Sequence, residues 1–137
     1  MLLVCTYLVF LSTTRILSSI MMSPGSAFIG KELKYGFGVT SDGFEQHIGV
    51  NHVGHFHLLQ LLTPTLKASA PARVVILSSS SSKEAPKPAG ILFDTWMPSA
   101  EHTASNPPPE YEDGFAYGQS KLANLLTARE YSARMEG

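Results

Sequence analysis

The stretch that most narrows the fold is Arg73 to Ser78, R-V-V-I-L-S. It is a continuous run of β-branched and apolar residues, without the alternation of a strand that has one wet face. Such runs mark a parallel strand covered on both faces. Helical periodicity stands on either side of it. Asp42 offers an N-cap, and Phe44, Ile48, His52, His55, Leu58, Leu59 and Leu62 recur at helical spacing up to Pro64, which predicts a buried amphipathic helix, extended past the proline if it kinks. After the strand, Lys83 to Tyr111 holds most of the prolines, including Pro107 to Pro109. It reads as a long irregular excursion, of a length that often carries function. Phe115 to Met135 returns to helical composition, with Leu122, Leu125, Leu126 and Arg129 on compatible faces and Gly137 as a stop. Helix, strand, excursion and helix make an α/β chain.

A length of 137 residues allows one domain. A formal net charge of -1, with no basic stripe, argues against a nucleic-acid partner. The single cysteine, Cys5, excludes an internal disulfide and reads as a small apolar residue in a reducing compartment. The apolar opening Met1 to Ser12 lacks a basic flank and meets Thr13, Thr14 and Arg15 well short of the roughly 20 apolar residues a bilayer requires. It is read as a buried strand or an atypical terminus rather than an efficient anchor or signal, and a cytoplasmic location is expected. Ser23 to Gly38 is Gly-rich and aperiodic, and reads as loop.

Three clusters carry chemistry. Asn51-His-Val-Gly-His-Phe56 lies in the first helix, Ser78-Ser79 follows the strand, and Tyr117-Gly-Gln-Ser-Lys121 lies in the last helix. Ligands of open α/β sheets bind beyond the carboxyl ends of the strands, so Ser78 and Ser79 stand where a substrate would lie. A tyrosine and a lysine four apart on a helix share a face, with Cβ atoms about 6 Å apart. An ordered set of N-x-x-G-H, a strand ending in S-S, and Y-x-x-x-K resembles the short-chain dehydrogenase/reductase superfamily over residues 39 to 137. The flanks T-S-D-G-F-E, V-N-H-V-G-H-F, S-A-P-A-R-V-V and A-Y-G-Q-S-K-L-A-N resemble its retinol-dehydrogenase-like and WW-domain oxidoreductase-like branch.

The resemblance implies an oxidoreductase that moves a hydride between NAD or NADP and a small alcohol or carbonyl, with Asn51, Ser79, Tyr117 and Lys121 as its tetrad. Tyr117 would exchange a proton with the substrate oxygen, and Ser79 would hydrogen-bond that oxygen. Lys121 would favour the phenolate and, beside Tyr117, hold the nicotinamide ribose; Asn51 would anchor a water joining Lys121 to solvent. The run of serines through Ser82 leaves the register of Ser79 open by one. A phenol that gives up its proton near neutral pH needs roughly 4 kcal/mol of help. A charge about 4 Å away supplies about 4 kcal/mol at an effective dielectric of 20, and about 1 in water. The tetrad therefore requires a partly closed site.

Each of these residues also has a plain reading. Tyr117 and Lys121 could be an aromatic beside a snorkelling lysine, Asn51 a cap at a helix break, and Ser79 a polar loop start. His47, His52, His55 and His57 lack the spacing of a metal site and are assigned to packing and solvent contact; no metal is expected. Asp94 resembles a family loop position of uncertain role.

Departures from the family complete the expectations. The glycine-rich phosphate turn is absent, and Gly25, Gly30, Gly36 and Gly38 do not replace it. Leu17-Ser18-Ser19 stands where the family's N-A-G turn would precede Ile20, and Leu2 to Cys5 resembles the strand leading into that turn, making Thr6 to Ser19 an insertion or a gene-model artefact. Residues 1 to 38 form an atypical N-terminal segment and 39 to 137 the catalytic half. The expected architecture is a partial doubly wound parallel sheet, Rossmann-like, lacking the first and the C-terminal strands. The alternative is a truncated, non-catalytic product that binds a partner through exposed helices; in the family the two long helices pair between subunits as a homo-oligomer.

Overall fold

The computed structural model describes residues 7–12, 15–22 and 36–135. Strand β1 (Tyr7–Ser12) runs antiparallel to β2 (Arg15–Met22), with Tyr7 opposite Met22. Strand β2 runs parallel to β3 (Arg73–Ile76), pairing Ser19 with Arg73 and Met22 with Ile76, so the sheet order is β1-β2-β3. The parallel partner of β3 is therefore Arg15–Met22. Within the insertion expected from the sequence, Tyr7–Ser12 and Arg15–Ser19 belong to paired antiparallel strands, and Thr6, Thr13 and Thr14 lie outside the described residues. Leu2 to Cys5 lie outside the described residues, as does Ser23 to Tyr35 of the expected loop.

Asp42 does not cap the first helix. It sits in a tight turn in which Gly43 N–H donates to Thr40 O, and Gly43 has φ +86°, a conformation open chiefly to glycine. The cap is Glu45, whose carboxylate accepts from the His47 and Ile48 amides, both at 2.9 Å. A carboxylate satisfies the orphan N–H groups at a helix start better than a residue already bent into a turn. Helix α1 (Gln46–Ile48) passes through a π-helical segment, Gly49–Val53, into α2 (Gly54–Ala68). Pro64 lies inside α2 and does not end it.

Leu59 and Leu66 of α2 are buried, with Leu58, Leu62, Val74, Ile76 and Tyr131 packed around them. This core joins α2, one face of β3 and α3 (Asp113–Met135). Val75, on the other face of β3, is 42% exposed. Among the described residues β3 is thus covered on one face, where the apolar run predicts cover on both; α2 and α3 lie on the same side of it. Helix α3 also departs from expectation. Its buried residues are Ala116, Gly118, Gln119, Ser120, Lys121, Ala123 and Asn124, while Leu125 and Leu126 are exposed. The polar face turns inward because it meets the π-segment and the end of β3, whose backbone groups need partners. The excursion contains two short 3-10 turns, Ser80–Glu84 and Phe93–Thr95, and Asp94 is in the second, exposed. Among the described residues no helix is long and apolar enough to cross a membrane.

Candidate active site

Tyr117 and Lys121 face the same way along α3. Lys121 Nζ lies 5.4 Å from the centre of the Tyr117 ring, and Lys121 is 4% exposed. Burial pushes the ammonium's pKa down, because its charged form loses hydration. Among the described residues the carboxylates in contact with a basic group are Asp113, beside His47, and Glu130, beside Arg134, so Lys121 has none of them within pairing distance. A buried ammonium free of a carboxylate is the kind of group that can receive a hydroxyl and act on a phenol.

The other tetrad candidates reach α3 by different routes. Asn51 is fully buried in the π-segment. Its amide donates to Ser120 Oγ at 3.0 Å, and Ser120 Oγ donates to Tyr117 O at 2.7 Å. Asn51 O accepts from Asn124 Nδ2 at 2.9 Å. The same amide nitrogen of Asn124 reaches Leu77 O at the end of β3, 3.0 Å away. Asn124 therefore ties the π-segment, β3 and α3 together. Ser78 Oγ donates to Lys121 O at 2.8 Å, fixing the strand end to the helix. Ser79 caps the first 3-10 turn, accepting from Ser81 N at 3.2 Å. That turn rests on Gly118, where an added Cβ would meet Ser81 O at 2.7 Å and Ala85 N at 3.0 Å. Tyr117, Lys121 and Asn51 are thus linked through α3, and Ser79 is brought to the same helix by backbone contact at Gly118.

A second group adjoins Tyr117 that spacing did not single out. His47 Nε2 is 3.1 Å from Asp113 Oδ1, and the His47 ring packs edge-on to Tyr117, centroids 5.6 Å apart at 76°. Tyr111 donates to Glu45 Oε1 at 3.1 Å and reaches Asp113 Oδ1 at 3.5 Å. Burial, then the charges of Glu45 and Asp113, raise the Tyr111 pKa well above that of an ordinary phenol. Tyr111 is held protonated, which leaves Tyr117 as the tyrosine of this region beside a cation. The signal for Glu45 was its place just before a helical run; Asp113 and His47 come together only across 66 residues of chain.

His52, also buried, is stacked on Phe56 and donates from Nδ1 to Asn124 Oδ1 at 3.1 Å. Its pKa lies below the ordinary value, chiefly through desolvation, against the raising effect of the Asn124 hydrogen bond; nearby His55 lowers it further. The unfolded chain therefore binds a proton at His52 near pH 6.5 while the folded chain does not, so stability falls as pH drops through about 6.5 toward the lowered value, and is unaffected above. Urea titrations between pH 5 and 7.5 should show a smaller acid loss for His52→Phe, which keeps a ring on Phe56. An identical loss in both proteins would exclude His52 as a source.

In sequence the chain is short-chain dehydrogenase/reductase-like, a partial chain beside the curated oxidoreductases it resembles. The chain is 44% identical over 98 residues to retinol dehydrogenase 14 of Homo sapiens, covering 72% of this chain and 25% of that protein. It is 45% identical over 98 residues to retinol dehydrogenase 12 of Homo sapiens, covering 72% and 27%. To the WW domain-containing oxidoreductase of Gallus gallus it is 41% identical over 100 residues, covering 71% and 22%. The chain spans about a quarter of the length of these curated relatives. No family model matches it, and no solved structure matches it.

Proposed function

We propose that residues 39–137 are the catalytic half of an NAD(P)-dependent oxidoreductase of alcohols and carbonyls, built on part of a doubly wound sheet. The observation that carries this reading is the buried Lys121 ammonium 5.4 Å from the Tyr117 ring. In this burial a charge acts on the phenol through a lower effective dielectric than water, which is the condition the proton transfer sets. Tyr117 gives a proton to a carbonyl oxygen in reduction, or takes one from an alcohol in oxidation. Ser79 hydrogen-bonds the same oxygen as its charge grows. Lys121 favours the phenolate, and its donors suit ribose hydroxyls; Asn51 holds the π-segment against the helix turn of Tyr117 and serves the water route to Lys121. The nicotinamide, when bound, supplies or accepts the hydride. Retinol, which the relatives' names give, is the first substrate to assay. The reading carries with it a cytoplasmic location and pairing of the long helices between subunits.

The 137-residue chain contains no helix-opening glycine turn for a pyrophosphate. Calorimetry is expected to show no micromolar binding of NAD or NADP to it, and no turnover. A chimera in which the matching 98 residues of human retinol dehydrogenase 12 are exchanged for those of this chain is expected to bind cofactor and oxidise retinol. A folded, cofactor-binding chimera without turnover would remove the catalytic reading. The exposed Leu61, Leu125 and Leu126 favour a second reading, a non-catalytic interaction module; that outcome, with self-association of the chain, would select it.

A further inference from the structure

We propose that His47, held by Asp113, is the positioning residue for the Tyr117 ring. The inference rests on reading Tyr117 as the proton-exchanging group, but its test needs no turnover, so the two can fail separately. Asp113, Tyr117 and Lys121 are spaced i, i+4 and i+8, and so form a column on one side of α3. His47 reaches the first two members of that column from another element. Its Nε2 meets Asp113 Oδ1 at 3.1 Å, and its ring stands edge-on to Tyr117 at 5.6 Å. Lys121 Nζ, from the third position, lies 5.4 Å from the centre of the same ring. Tyr117 therefore has an imidazole and an ammonium within about 6 Å of its ring centre, a range at which both T-shaped packing and cation–π attraction operate.

The main chain that carries the imidazole is itself held. The His47 backbone N–H donates to Glu45 Oε1 at 2.9 Å, and Glu45 is 2% exposed. Glu45 also receives the Tyr111 hydroxyl, which reaches Asp113 as well. Among the described residues, the groups facing His47 include Asp113 and Tyr117 from α3, Glu45 from its own helix start and Tyr111 from the excursion. A wall held this way removes alternative rotamers of a tyrosine before substrate arrives, and misplacement of a reacting group by about 1 Å can cost about a hundredfold in rate. Simple core filling would be met more cheaply by an apolar residue; a histidine bonded to a carboxylate has a defined ring plane, which is what orientation of a neighbouring ring requires.

The experiment is NMR on the full 137-residue chain, reading the Tyr117 χ1 rotamer from three-bond couplings and its ring contacts from NOEs, with Tyr117 assigned by its loss in Tyr117→Phe. The native chain is expected to show one rotamer and NOEs to the His47 ring. His47→Ala should give averaged couplings, His47→Phe should restore a single rotamer, and His47→Gln, which keeps a donor for Asp113 but no ring, should not. A single unchanged rotamer in His47→Ala, with the remaining amide spectrum native, overturns the proposal, as does averaging in the native chain. Should His47→Ala lose its amide dispersion, Asp113→Ala decides. The Asp113 side chain is 21% exposed, and loss of the single rotamer there supports the proposal while retention overturns it.

Discussion

Tyr117→Phe is expected to lower kcat of the retinol-oxidising chimera by at least about a hundredfold, the usual minimum for general acid–base catalysis, while leaving cofactor affinity almost unchanged. Phenylalanine keeps the ring that touches His47 and lies beneath Lys121, and loses only the proton. Lys121→Ala is expected to weaken both steps, since it removes the ammonium 5.4 Å from the Tyr117 ring and a donor suited to ribose. Comparing kcat and cofactor Kd for the two variants separates proton transfer from binding. A Tyr117→Phe variant that retains more than about a tenth of native kcat would limit the hydroxyl to less than about 1.4 kcal/mol of transition-state stabilisation. The assignment of Tyr117 as proton donor would then fail. Tyr111 is no substitute for it, because burial, and then the charges of Glu45 and Asp113, keep that hydroxyl protonated.

The second large effect is expected at Gly118, between Tyr117 and Lys121 in α3. A Cβ there would meet Ser81 O at 2.7 Å, Ala85 N at 3.0 Å and Glu84 C at 3.2 Å, all backbone atoms that cannot swing aside. Gly118→Val should therefore push the Ser80–Glu84 turn off α3, at a cost near the upper end of the roughly 1–3 kcal/mol typical of overpacking. Gly114 is the control in the same helix, since a Cβ there meets nothing within 4 Å. Gly114→Val should leave stability nearly unchanged, as the difference in helix propensity is only a few tenths of a kcal/mol. Urea unfolding of the three proteins decides the matter; equal midpoints for Gly118→Val and the native chain would show that the turn does not rest on the helix. Because Ser79 caps that turn, the chimera carrying Gly118→Val should also lose turnover.

Much of this was legible from local pattern. The strand at Arg73, both long helices and the irregular excursion follow from periodicity and proline content, and the Tyr-Lys pair shares a face because a helix repeats every 3.6 residues. The buried positions Ile48, His52, His55 and Leu59 fall on the stripe that the spacing predicts. The first helix start was misplaced because Asp42 and Glu45 are both good capping residues, and only the turn at Gly43 decides between them. The π-segment was hidden because its residues are compatible with an ordinary helix, and its widened turn answers to Ser120 and Asn124 on another element.

The sequence by itself determined the elements and the chemical types available, since hydrophobic period, turn residues and the order of motifs are properties of neighbouring positions. It also determined that Tyr117 and Lys121 lie on one face of one helix. Tertiary structure alone decided that Arg15–Met22 is the parallel partner of β3, that α3 turns its polar face inward and Leu125 and Leu126 outward, and that Lys121 is buried with no carboxylate partner among the described residues. It also decided that His47 and Asp113, 66 residues apart, stand together beside Tyr117. The physical reason is that burial and pairing are settled by which surfaces compete to leave water, and that competition runs over the whole chain rather than within any window of it.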